Sequence, residues 1–188
     1  MPHVTIIGFD SFTDIDLFMA WDLFSRVSAP AWRVEIAAPT KTITSITGIT
    51  IAAHAPLESA RRADAVYVAS GDGTRRLADA PEWQSMVFDE SRQLLAAVDS
   101  GALLLATLGH LRGRRATTYP DAELHARLAA LGVELVNEAL VVEGNVATAA
   151  QCLAGVQLVE WVVSRLVDER TALAATSSAM PLGVKRAR

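Results

Sequence analysis

The chain is predicted to fold as an α/β three-layer sandwich around a mainly parallel, flavodoxin-like sheet, and three observations carry that prediction. Short apolar runs suited to buried strands recur at residues 4–8, 34–38, 65–69 and 94–98. Helical patterns alternate with them, and this order places helices against both faces of a parallel sheet. The third observation is the junction 98–106, where a buried strand meets Asp99 and small residues then lead into an apolar helix. In outline it is a nucleophile elbow, a corner that lifts one side chain over the carboxyl ends of the strands.

The elements follow in order. Val4-Thr5-Ile6-Ile7-Gly8 forms a central strand, and an amphipathic helix follows over 14–26. A second strand spans 34–38, and Thr42-Ile43-Thr44 pairs with Ile49-Thr50-Ile51 across Gly48 as a small hairpin. Ala65-Val66-Tyr67-Val68-Ala69 is a buried strand that ends in the glycine-rich corner Ser70-Gly71-Asp72-Gly73-Thr74, which opens a helix near Arg75. Residues 81–92 are predicted helical, and the elbow follows. Beyond Gly113, short strands at 115–118, 133–136 and 140–142 surround a helix at 121–131. The last segment, 153–167, is apolar almost all round, as a helix held between the sheet and a partner would be. Residues 1–170 are expected to form one domain and residues 171–188 a flexible tail.

Composition narrows the function classes. Of 188 residues, 51% are hydrophobic and 20% charged, as in a compact soluble protein, and no apolar run approaches the roughly 18 residues of a membrane span. The first residues lead into a strand without a basic region or cleavage site, so a cytoplasmic protein with no membrane partner is expected. One cysteine, Cys152, excludes an internal disulfide. It and four scattered histidines give no spacing resembling a zinc site, so no metal is expected. Gly71-Asp72-Gly73 is too short for a dinucleotide or Walker loop, and no cofactor is expected. A net charge of −4 argues against nucleic acid, with Arg112, Arg114 and Arg115 read as a solvated turn.

The order and spacing of several short motifs resemble the ThiJ/PfpI superfamily, with its class I glutamine-amidotransferase-like fold, and within it the isonitrile hydratase branch. The motifs are Ile15-Asp16-Leu17 with Asp22-Leu23-Phe24, residues 67–74, the elbow 98–106, residues 111–118, and Glu143-Gly144-Asn145-Val146-Ala147-Thr148. The resemblance implies a homodimer with a small-molecule pocket near the subunit interface, and an acidic residue, here Asp16, facing the elbow residue. The departures fall on the chemistry. Asp99 stands where the family has a cysteine nucleophile, and Tyr119 where it commonly has a histidine. A glycine pair of the family appears as Ser70-Gly71, and the small residues before the last helix appear as Gln151-Cys152. Cys152 itself is read as a packed core residue.

Two carboxylates held together cannot both ionise cheaply, so an Asp16–Asp99 pair would keep a proton near neutral pH. One would act as acid and the other as base, which suits hydration of a small, largely apolar isonitrile to its formamide. The backbone N–H groups of Gly71 and Ser100 are expected to receive developing charge. Ser70 and Tyr119 complete the substrate contacts, and Phe18 and Trp21 supply an apolar pocket wall. Two other readings stand beside this one: Asp99 as a helix cap with a depressed pKa, and the whole chain as a non-catalytic ligand-binding module.

Overall fold

The structure is a computed structural model and describes residues 2–179. In chain order its elements are β1 His3–Ile7, α1 Asp14–Ser25, β2 Arg33–Ala38, β3 Thr42–Thr44, β4 Thr50–Ala52, β5 Ala55–Pro56, β6 Ala65–Val68, α2 Gly73–Ala78 and α3 Pro81–Gln84. There follow β7 Leu94–Val98, α4 Ala102–Thr107, β8 Arg115–Ala116, α5 Ala122–Ala130, β9 Glu134–Leu135, β10 Leu140–Glu143, β11 Val146–Ala149, α6 Gly155–Leu166 and α7 Glu169–Thr176.

Seven strands make the main sheet, in the order β10-β11-β7-β6-β1-β2-β5, parallel throughout except where β10 meets β11. The central strands are apolar because both of their faces are covered: every residue of β6 and β7 is buried. In register, Ile6 pairs with Tyr67 and Tyr67 with Ala96, so a large ring on β6 has a small neighbour on β7. Helices α1 and α6 pack on each other and on the sheet, while α4 contacts β7 together with α2 and α5. Apart from Val141, the buried apolar side chains form one continuous cluster. After β1 the chain runs outward to β2 and β5, then returns to lay β6 on the other side of β1. That reversal opens a crevice at the carboxyl ends of β1 and β6, the place where open α/β sheets take ligands.

Four readings of the sequence are corrected. The helix expected over 81–92 stops at Gln84. Asp89 accepts both the N–H and the hydroxyl of Ser91, and Gln93 Oε1 takes the Asp89 N–H, so side chains satisfy the backbone in place of a helix. The strands near 115 and 134 are shorter than expected and pair only with each other, outside the main sheet. Val146–Ala149, unassigned by pattern, is a fully buried strand beside β7.

The fourth correction concerns the expected tail. Residues 169–176 form α7, whose N-terminus is capped by Asp168 accepting the Thr171 N–H at 2.7 Å. Ala172, Ala175 and Thr176 of α7 are buried and the helix lies against α6. The chain itself therefore covers the part of α6 for which a partner was expected. Residues 180–188 lie outside the described ones. Among the described residues no helix is long and apolar enough to cross a membrane. The basic turn is partly neutralised, since Arg114 pairs with Glu90 and Arg115 with Glu138.

Candidate active site

Asp99 follows β7 with φ +54°, a left-handed conformation that non-glycine residues seldom adopt and that Asp tolerates better than most. Packing holds it there. Gly101 lies so close to β6 that a Cβ would stand 2.6 Å from the Ala69 carbonyl oxygen and 2.8 Å from that of Val68. Thr118 Oγ1 donates to the Asp99 carbonyl at 2.8 Å from the opposite side. Strand, glycine and threonine together fix the elbow.

Asp16 arrives from the first turn of α1 and is fully buried. The Ser70 hydroxyl, at the end of β6, donates to Asp16 Oδ2, whereas Oδ1 has no hydrogen-bond partner among the described residues. Cys152 lies in the turn before α6 and closes the group. One ligand atom from each of Asp16, Asp99 and Cys152 lies within 4.8 Å of the others. The expected facing of Asp16 and Asp99 is thus present, and a thiol that sequence reasoning assigned to the core joins them. Nothing in local spacing could reveal it, because the three residues come from three distant segments that only the sheet brings together.

The electrostatics follow from burial. Desolvation raises the Asp16 carboxyl above its ordinary range, partly offset by Ser70 and Cys152. Asp99 is pushed up to about 6, first by desolvation and further by the charge of Asp16, against hydrogen bonds from Ser100 and the Arg75 charge. A simple cap would move it the other way, and Asp99 makes no helix-capping bond to the N–H groups beyond its neighbour. Burial, then the two carboxylates, push the Cys152 thiol up to about 12, which removes the thiolate needed for nucleophilic chemistry.

The cleft above this group has a volume of about 330 Å³ and is lined by Thr13, Asp72, Arg75, Asp99, Tyr119 and Cys152, among others. Tyr119, about half exposed, stands at the cleft as expected. Several expectations fail here. Ser70 is fully buried and positions Asp16 instead of meeting substrate. Asp16 itself does not line the cleft. Gly71 and Ser100 do line the cleft, but the Gly71 N–H is taken by Ser100 Oγ at 3.1 Å and the Ser100 N–H by Asp99 Oδ1 at 2.5 Å, so neither N–H stands open as an oxyanion donor. Phe18 packs edge-on to Phe12 and Trp21 stacks on His54, both away from the cleft, because their side of α1 faces other elements. The wall is polar in their place. Arg75, read only as a helix start in the sequence, projects into the cleft while bound to Asp121 at 2.9 Å.

A parallel flavodoxin-like sheet with a residue in left-handed conformation at an elbow beside a buried carboxylate defines the class. The chain belongs to the DJ-1/PfpI family, whose family model matches residues 2–165. Among curated proteins it is similar to an isonitrile hydratase of Pseudomonas putida, with 28% identity over 132 residues that cover 69% of this chain and 57% of the relative. The chain therefore spans a little over half the length of that relative. Among solved structures it is similar to a ThiJ/PfpI family protein from Pseudomonas syringae, at TM-score 0.83 and 24% identity over 95% of this chain and 74% of the other. It is also similar to DJ-1 of Schizosaccharomyces pombe, at TM-score 0.81 and 17% identity over 95% of this chain and all of the other. At these identities the likeness to both structures is one of fold.

Proposed function

We propose that the protein is an isonitrile-hydratase-like enzyme, or a related lyase, that hydrates a small molecule by carboxylate acid/base chemistry without a cysteine nucleophile. The observation that carries this reading is the Asp16–Asp99 pair, two carboxylates brought within 4.8 Å of each other, of which Asp99 lines the cleft and is raised to about 6. Asp99 is the member that reaches the cleft, so it performs both proton transfers. Protonated Asp99 gives its proton to the terminal carbon of R–N≡C. The resulting carboxylate takes a proton from water as the water oxygen bonds to that carbon, giving R–N=CH–OH, which tautomerises to the formamide R–NH–CHO. Water is the only co-reactant and Asp99 ends protonated as it began. Asp16, dry and held by Ser70, is the positioning residue that keeps a proton on the pair. The polar wall favours a substituent with polar atoms over a purely apolar one.

A second reading, a non-catalytic ligand-binding module of the same fold, is favoured by the two occupied backbone donors at Gly71 and Ser100. We also propose a homodimer. Ile15, Ile46, Ile49 and Leu153 are exposed apolar residues, and the turn bearing Ile46 is tied to the entry of α1 by the Ile46 N–H to Phe12 carbonyl bond and by Thr47 to Asp14.

The deciding experiment follows formamide production from a simple alkyl or aryl isonitrile and from one bearing a hydroxyl group. The unmodified chain is expected to turn over, and Asp99→Asn to lose at least a hundredfold in rate while keeping the fold. Full activity in Asp99→Asn sinks the acid/base assignment, and no turnover in the unmodified chain favours the binding module.

A further inference from the structure

Four polar groups lie below the cleft, and their chemistry is unbalanced. Asp16 and Asp99 present carboxylate oxygens, Cys152 presents its sulfur, and these three atoms lie within 4.8 Å of one another. Among the described residues Asp16 Oδ1 accepts no N–H or O–H, and the Cys152 thiol is the further group that bonds the Asp16 carboxylate. Independently, the Tyr67 hydroxyl from the end of β6 is fully buried and has no hydrogen-bond partner among the described residues, although a buried phenol ordinarily has one. It points toward the start of α6, 3.1 Å from where a Cβ on Gly155 would sit, and is close enough for the charges of Asp16, Cys152 and Asp99 to act on it. Orphaned donors and acceptors of this kind call for an occupant that the protein atoms do not supply.

We propose that Asp16, Asp99 and Cys152 form a binding site for one divalent cation of the zinc class, with the fourth coordination position open to the cleft. The donor set selects the ion: a sulfur ligand disfavours magnesium and calcium, while two carboxylates and one thiolate suit zinc or its surrogate cobalt. Ligand atoms around tetrahedral zinc stand ~3.3–3.6 Å apart, so side-chain adjustments of about an ångström close the site. Three protein ligands and an open position are the arrangement of reactive zinc sites. Ser70 already donates to Asp16 and would hold that ligand in place, and Tyr67 gains an acceptor among the metal-bound atoms. Arg75, the cation that lines the cleft, is compensated by Asp121 at 2.9 Å and Glu123 at 3.6 Å, so it leaves no uncompensated positive charge to repel a divalent ion.

Binding does not rest on the hydration reading. An ion on Asp99 would displace the proton that reading uses, and only the consequent loss of turnover depends on it.

The test uses chelator-treated, full-length protein titrated with zinc, and separately with cobalt, with metal content measured after desalting. One retained equivalent is expected, with cobalt giving intense tetrahedral visible bands and a near-ultraviolet thiolate-to-cobalt absorption. Cys152→Ser should abolish the thiolate absorption and weaken zinc at least tenfold, and Tyr67→Phe should weaken it about tenfold while leaving that absorption in place. Asp99→Asn, which keeps the elbow shape, should also weaken zinc at least tenfold. No retained equivalent, an octahedral cobalt spectrum, or zinc retention by the Cys152→Ser or the Asp99→Asn variant equal to that of the unmodified chain overturns the site, whatever the enzyme assay shows.

Discussion

Asp99 combines a left-handed backbone, a buried carboxyl and a neighbouring carboxylate, and each has a measurable consequence. Alanine at this position loses the tolerance for φ +54° and should cost about 1–2 kcal/mol, whereas asparagine keeps both the conformation and the acceptor for Ser100. The pH dependence has a definite sign. Folding raises the Asp99 pKa to about 6 from an ordinary value near 4, so the folded state binds the proton more tightly. Its stabilising effect is present at low pH and is lost as pH rises from about 4 through 6. Asp99→Asn, neutral throughout, should therefore gain thermal stability relative to the unmodified chain over that window and hold the gain above it. Melting curves between pH 4 and 8 check this, and a gain confined to acid would refute it. Cys152 offers a second test, because a thiol raised from 9 to about 12 carries about a thousandfold less thiolate at neutral pH. Its alkylation by iodoacetamide should be slower than that of an exposed model thiol by two to three orders of magnitude.

Among the elements, the elbow depends on β7 and α4 approaching β6 without a side chain between them. Gly101→Ala would press a methyl carbon against the backbone carbonyls of Val68, at the end of β6, and of Ala69 just beyond it, and the cost is predicted at about 2–3 kcal/mol in urea unfolding. A loss below 0.5 kcal/mol would show that the elbow is looser than its packing implies. Helix α7 is the other informative element. Ala172 is fully buried within it, so Ala172→Asp should destabilise by about 2–4 kcal/mol. If residues 171–179 belonged to the flexible tail expected over 171–188, the same substitution would be nearly silent. The reason composition misled is local: Asp168 caps the helix and α6 supplies the apolar surface, and neither effect is visible in residues 171–179 alone.

Across the whole molecule, the proposed homodimer has its own test in sedimentation or light scattering. Leu153, about three-quarters exposed beside Cys152, is expected to lie in the interface, and Leu153→Asp should shift a dimer toward monomer. A monomer in the unmodified chain at micromolar concentration removes the proposal. Much of the architecture was legible because its signals are local: buried runs announce β1, β2, β6 and β7, alternating helices announce a parallel sheet, and small residues after Asp99 announce the elbow. The pairing of Asp16 with Asp99 was legible only through resemblance to a family. The strand β11 and the early end of α3 were not, because so few residues carry too little periodicity to compete with side-chain bonds such as those of Asp89. The sequence by itself determined the fold class and the residue at the elbow, since both are written in contiguous stretches of chain. Only the tertiary structure decided that Cys152 joins the carboxylates, that the Tyr67 hydroxyl is buried within reach of their charge, that the backbone donors are occupied and that the cleft wall is polar. Those outcomes depend on which ends of distant strands and helices meet, and no contiguous stretch of residues encodes that meeting.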